Sequence, residues 1–215
     1  MTDISADLAA GELQDRIDKV ADDLAYRYDG IFTGEEVEEA VHQARTAMTR
    51  NIKVTTYLPI LVNRYARELL EAKAIAEGKV AKQKPELLFV CVHNAGRSQI
   101  AAALARHLSN QRVNVRSAGS APTGEINPVV KEILDERGIP IPEAYPKPLD
   151  DTVVRAADVI VTMGCGDACP YYPGKSYLDW EVNDPPGASK QQVRAIVDDI
   201  QVRITALLHN LLDKD

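Results

Sequence analysis

The hydrophobic rhythm of the chain changes once, near residue 80. Before that point apolar positions recur every three to four residues, the period of a helix with one buried face. Leu13, Ile17, Val20, Leu24 and Tyr28 form one such stripe, and Asp29-Gly30 stops it. Thr33 and Glu36 have the spacing of a capping box, in which each side chain satisfies a backbone N–H of the other. Val37, Val41, Ala44 and Met48 then share a face. A third helix is predicted from near Thr56, with Pro59 in its first turn, where a missing N–H is tolerated. Its stripe is Leu58, Leu61, Val62, Tyr65 and Leu69, and Tyr57, Ile60 and Leu70 are extra apolar positions outside it. Three amphipathic helices with short connections predict a bundle over residues 1–80, and residues 78–85 read as a lysine-bearing linker.

After Pro85 short apolar runs alternate with helical stripes. Strands are predicted at 87–92, 113–117, 159–163 and 177–182. Helices are predicted at 100–108 and 128–137, the second closed by Gly138, with a short turn at 152–156. Ser189 and Gln192 form another capping box, opening a final helix that carries Val193, Ile196, Val197, Ile200, Ile204, Leu208 and Leu211. This alternation predicts an α/β domain over residues 85–213, a four-stranded parallel sheet flanked by helices on both faces. Ligands of such sheets sit beyond the carboxyl ends of the strands.

Composition narrows the functions. Hydrophobic residues make up 45% of the 215, enough for a substantial core. The net charge of −7 argues against a general binder of nucleic acid or anionic membrane. No apolar run reaches the roughly 18 residues of a membrane span, and the acidic first residues lack a secretory signal, so a cytoplasmic protein is expected. The three cysteines, Cys91, Cys165 and Cys169, are too few and too uneven for a disulfide framework and read as reactive thiols.

Candidate chemistry begins where the first strand ends. The run Leu87-Leu88-Phe89-Val90 leads into Cys91, then Val92-His93-Asn94-Ala95-Gly96, then Arg97-Ser98 and an alanine-rich helix. The N–H groups of such a loop and of the helix start converge on an anion. Arg97 adds a planar, bidentate grip on a tetrahedral oxyanion. The same field favours the thiolate of Cys91, which is the nucleophile. Asn94 is placed to hold the loop by side-chain hydrogen bonds or to take a left-handed conformation. Ser98 is placed to donate its hydroxyl to the sulfur, and His93 reads as a solvent-facing loop residue.

Two further clusters follow later strands. Cys165 and Cys169, separated by three residues in a glycine-bearing loop after the third strand, read as a thiol relay. The competing readings are a zinc half-site, which needs two more ligands, and a pair of inert loop cysteines. Asp184, fixed by Pro185 after the fourth strand, is a candidate general acid or base at the mouth of the anion pocket.

The segment 91–98, Ser117-Ala118-Gly119 after the second strand and Asp184-Pro185 together resemble the low-molecular-weight protein tyrosine phosphatase fold. Cys165 and Cys169 resemble those of its three-cysteine, thioredoxin-coupled arsenate reductase branch, although here the pair is spaced more tightly than is common there. The resemblance covers residues 85–213; the segment before it is similar to helical segments fused to this domain in some actinobacterial proteins. It implies that arsenate, with phosphate or sulfate as competitors, binds the loop 91–98. It further implies that Cys91 attacks arsenic with Asp184 managing the proton, that a Cys91–Cys165 disulfide forms as arsenite leaves, and that Cys169 passes this on as Cys165–Cys169. Thioredoxin would reduce that last bond, and no metal or organic cofactor is implied. The alternative is a phosphatase using Cys91, Arg97 and Asp184 alone, with Tyr171 and Tyr172 as pocket walls. A non-catalytic oxyanion or redox sensor is a third reading. The helical segment offers no nucleophile and reads as a docking or dimerisation module, with a homodimer preferred.

Overall fold

The computed structural model describes residues 4–49, 57–165 and 169–212, with side chains from residue 11 onward. The chain forms two compact units, Met1–Val80 and Ala81–Asp215.

The first unit holds three helices, α1 (Ile4–Arg27), α2 (Gly34–Thr49) and α3 (Leu58–Ala76). The stripes supply its core. Ile17, Leu24 and Tyr28, Val37, Val41, Ala44 and Met48, and Leu58, Val62, Tyr65 and Leu69 are all buried. The predicted capping box closes: Thr33 N donates to Glu36 Oε2 at 2.9 Å and Glu36 N to Thr33 Oγ1 at 3.3 Å. Lys73 and Lys79 each place Nζ 3.0 Å from Glu36 Oε1, so the residue that starts α2 also ties it to the end of α3. The Thr33 N–H, then Lys79 and Lys73, hold the Glu36 carboxyl down at about 2. Thr56, the predicted start of the third helix, lies outside the described residues; α3 runs from Leu58 with Pro59 in its first turn. Of the three extra apolar residues there, Leu70 is buried, whereas Tyr57 is 62% and Ile60 45% exposed.

The second unit runs β1 (Glu86–Cys91), α4 (Arg97–Leu108), β2 (Asn114–Gly119), α5 (Pro128–Glu136), α6 (Asp151–Ala156), β3 (Val159–Met163), β4 (Ser176–Asp179) and α7 (Lys190–Leu212). The strands form one parallel sheet in the order β2-β1-β3-β4. β1 is buried along its whole length, as an unbroken apolar run in a central strand should be. Phe89, Val161 and Met163 pack with the buried residues of α4, α5 and α7 in one core. Ala101, Ala102, Ala103 and Ala105 of α4 lie in that core, and their small side chains let the helix sit close to the sheet. The predicted Ser189–Gln192 box forms, with Ser189 N donating to Gln192 Oε1 at 2.8 Å.

Two boundaries differ most from the sequence reading. The fourth strand is shorter, because its partner β3 ends at Met163 and the last ladder bond is Trp180 N to Thr162 O. Trp180 then turns inward, 8% exposed, with its ring 6.2 Å from that of Phe89. The chain has therefore left the sheet by Val182 and is free to cross toward β1. The helix after Cys91 starts three residues early, at Arg97, so Arg97 and Ser98 belong to its first turn. No helix among the described residues is long and apolar enough to cross a membrane.

Candidate active site

Register brings the candidate residues together. Cys91 pairs with Gly119 on one side and Met163 on the other, so β1, β2 and β3 end level, with Cys91 between them. The chain then turns through residues 92–96 into α4. Asn94 takes the left-handed conformation, φ 52°, which a short polar side chain tolerates. Its Nδ2 donates to Ser98 Oγ at 2.8 Å, and its Oδ1 accepts from Gln99 Nε2 at 3.0 Å and Lys147 N at 3.1 Å.

The loop's carbonyls are occupied from outside. Those of Cys91, Val92, Ala95 and Gly96 accept from Ser120, Ala121, Asn127 and Ile100 N–H groups, and that of Asn94 from Gln99 Nε2. A trans peptide points its N–H opposite its carbonyl. The N–H groups of residues 92, 93, 95, 96 and 97 are thereby turned the other way, the arrangement of a backbone nest. Gly119 makes this approach possible: a Cβ there would lie 2.7 Å from Val92 O and 2.9 Å from Asn94 N.

The sulfur of Cys91 has two hydrogen-bond partners. Ser98 Oγ lies 3.0 Å away and Asn94 N donates at 3.3 Å. Ser98 Oγ also accepts from Asn94 Nδ2 at 2.8 Å and keeps its own proton free to donate to Cys91 Sγ. His93 is exposed, as expected of a solvent-facing residue.

Arg97 is nearly buried, its side chain 9% exposed. Nη2 donates to Asp184 Oδ2 at 3.1 Å and Nη1 to Val182 O at 3.5 Å. Its Nε is buried with no partner among the described residues, a donor that a bound oxyanion would satisfy. The floor beneath the guanidinium is Gly164, where a Cβ would fall 2.7 Å from Nη1. Asp184 reaches Arg97 because Pro185 packs on Gly96, whose Cβ would lie 2.9 Å from Pro185 Cγ.

Cys165 follows Met163, the register partner of Cys91, by two residues. Burial pushes its thiol up from the ordinary value, and the neighbouring charges of Cys91 and Asp179 add to that. Burial, then Cys165, pushes Cys169 up to about 11. The three sulfurs thus lie within each other's fields in sequence, Cys91 to Cys165 to Cys169. Cys165 is buried and Cys169 half-buried, and all three are free. Among the described residues no group of three His, Cys, Asp or Glu side chains is placed to hold a metal.

The sequence reading did not include Gln99 or segment 145–149. Gln99 Nε2 lies within reach of Asn94 O, Asn94 Oδ1 and Tyr145 O at 3.1, 3.0 and 3.2 Å, stitching the loop to that segment. A glutamine in an otherwise alanine-rich buried face was the one available signal. Tyr171 and Tyr172, the candidate pocket walls, are engaged elsewhere: the Tyr171 ring packs on Tyr177, and Tyr172 Oη donates to Asp151.

A sequence profile described as "Low molecular weight phosphotyrosine protein phosphatase" matches residues 86–215. A second, "Protein-tyrosine-phosphatase-like, N-terminal domain", matches residues 17–74. Among solved structures, the thioredoxin-dependent arsenate reductase Cg_ArsC1′ of Corynebacterium glutamicum is 47% identical. It covers 93% of this chain and 98% of its own, with a TM-score of 0.85. A putative arsenate reductase of Halobacterium salinarum is 33% identical over 124 residues, 55% of this chain and 87% of that protein. The YwlE arginine phosphatase of Geobacillus stearothermophilus is 25% identical, covering 60% of this chain and 94% of its own, with a TM-score of 0.54. The profile match beginning at β1 takes in more than half of the sequence, and with it the chain belongs to the low molecular weight phosphotyrosine protein phosphatase family.

Proposed function

We propose that this protein is an arsenate reductase recycled by thioredoxin. The observation that carries the reading is the placing of Cys165 two residues past the register partner of Cys91, with Cys169 next in line. A phosphatase has no use for that relay. Arsenate binds the loop 91–98 through the N–H groups of residues 92, 93, 95, 96 and 97 and the Arg97 guanidinium, where phosphate and sulfate compete. The Cys91 thiolate attacks arsenic, and an arsenate oxygen leaves as water with a proton passed by Asp184. Cys165 then attacks Cys91 Sγ. The As–S bond breaks, its electron pair stays on arsenic, and arsenite departs as the Cys91–Cys165 disulfide forms. Cys169 attacks Cys165, releasing Cys91 and leaving Cys165–Cys169 for an external dithiol. Two thiols lose two electrons and arsenic gains two. The proposed setting is the cytoplasm, where such a dithiol is kept reduced.

Arsenate turnover with a thioredoxin system is the direct test, with Arg97→Lys beside the native protein. Lysine keeps the charge but not the bidentate fork, so turnover should fall by about 10²-fold or more, the scale of losing one oxyanion donor. Near-native affinity for arsenate in that variant would reject the anion-loop assignment. A second reading, phosphoester hydrolysis, is favoured by the set Cys91, Ser98, Arg97 and Asp184, which is complete without the relay. Hydrolysis of a phosphoester without arsenate turnover would select it.

For the helical unit we propose homodimerisation, supported by the exposure of Tyr57 and Ile60. Light scattering should find a dimer for the full chain and a monomer for a truncation beginning at Lys82 that retains arsenate binding. A monomeric full chain at micromolar concentration would refute the dimer.

A further inference from the structure

The relay must end on a sulfur that another molecule can reach, and the three cysteines differ in this respect. Cys91 and Cys165 are buried, and Cys169 is half-buried. The chain leaving Cys169 is built into a platform. Tyr177 Oη donates to Pro170 O at 3.0 Å and accepts from Tyr172 N at 2.9 Å. One hydroxyl on β4 thus pins both sides of Tyr171. The Tyr171 ring packs on the Tyr177 ring, centroids 5.0 Å apart and planes at 31°. Although clamped in this way, Tyr171 remains 73% exposed, among the most exposed large apolar side chains described. Tyr177 lies within the field of the Cys169 sulfur.

We infer that the Tyr171–Tyr177 pair beside Cys169 is the docking surface for the dithiol protein that reduces the Cys165–Cys169 disulfide. The inference rests on the relay proposed above and names where its external partner binds. A rigid, exposed tyrosine gives a large contact area with little entropy left to lose, which is why such residues dominate the energetics of interfaces. The occupant is a small protein with a flat apolar rim around its own reactive cysteine, because a charged rim gains nothing from two stacked phenols. Its thiolate attacks Cys169 Sγ, the accessible sulfur, and Cys165 leaves as a thiol after taking a proton. A mixed disulfide then joins the two proteins. The partner's second thiol breaks it, so the partner is oxidised by two electrons and Cys165 and Cys169 are both returned as thiols.

The test uses the full chain with its Cys165–Cys169 bond formed in advance by a thiol oxidant, so that arsenate is not needed. Reduction is followed with thioredoxin and, separately, with dithiothreitol, which needs no docking. Tyr171→Ala should raise the thioredoxin concentration giving half-maximal rate by about 10-fold, the effect of losing one aromatic anchor. Its rate with dithiothreitol should stay native, and Tyr171→Phe should restore thioredoxin reduction. An unchanged thioredoxin dependence in Tyr171→Ala would overturn the proposal. So would an equal loss with both reductants, which would assign Tyr171 to the loop's structure. Failure of the protein to make arsenite with either reductant would sink the arsenate reading while leaving this exchange assay intact.

Discussion

Replacing Cys91 with serine should abolish arsenate reduction and any phosphoester hydrolysis together, because one sulfur begins both reactions. The expected loss is about 10⁴-fold or more, the scale seen when an enzyme loses its nucleophile. The fold should survive. Serine is smaller than cysteine at a site 3% exposed, and its hydroxyl can keep the partnership with Ser98 Oγ, which stands 3.0 Å from the sulfur. Oxyanion binding should persist as well, since the loop's N–H groups and Arg97 remain. Calorimetric titration with arsenate, beside turnover, separates the two effects. Activity above a trace in this variant would refute Cys91 as nucleophile.

Cys165→Ser and Cys169→Ser should each stop thioredoxin-coupled turnover while sparing oxyanion binding, and their trapped products should differ. Cys169→Ser should accumulate a Cys91–Cys165 disulfide after one equivalent of arsenite, readable by peptide mapping. Cys165→Ser should stall earlier, with no arsenite released without an added thiol. A native turnover rate in either variant would remove that cysteine from the relay. Acidity gives a second check. Burial, the larger cause of the raised Cys169 thiol, persists when Cys165 is tied to Cys91, so the Cys169 thiolate stays a minor form that grows tenfold per pH unit. The step that converts Cys91–Cys165 into Cys165–Cys169 should therefore accelerate with rising pH, about tenfold per unit from pH 6 to 9. A rate that is flat over that range would mean that another group removes the Cys169 proton in advance.

The fold was legible wherever a local period and a local stop signal coincided. β3 matches its predicted bounds, Val159–Met163, and both capping boxes close between the residues whose spacing announced them. The fourth strand was over-extended because Trp180 and Val182 continue an apolar pattern, and no local signal says that the neighbouring strand has already ended. The candidate site follows the same division. Cys91, Asn94, Arg97 and Ser98 were visible because one strand, one loop and one helix start carry them in eight consecutive residues. Gln99 and the Lys147 N–H were not, because the bonds that tie Lys147 N to Asn94 and Gln99 to Tyr145 O join segments far apart in the chain. Gly164 carries no signal of its own in the sequence, where it only precedes Cys165. The contact that a Cβ there would make with Arg97 Nη1 exists only after the sheet has assembled.

That contact bears on how such a protein can diversify. Gly164 has φ 71° and lies beneath Arg97, so another residue there would be strained in its backbone and would push the guanidinium from its place. Tyr171, at the far end of the same loop, has open solvent over most of its surface. A library of variants made to accept a new electron donor should therefore be varied from the Cys169 side. At Gly164 nearly every change would damage oxyanion capture before donor choice could be tested. One end of the loop is tied to the substrate and the other is open to selection, so descendants of this chain can change donors without giving up the anion they bind.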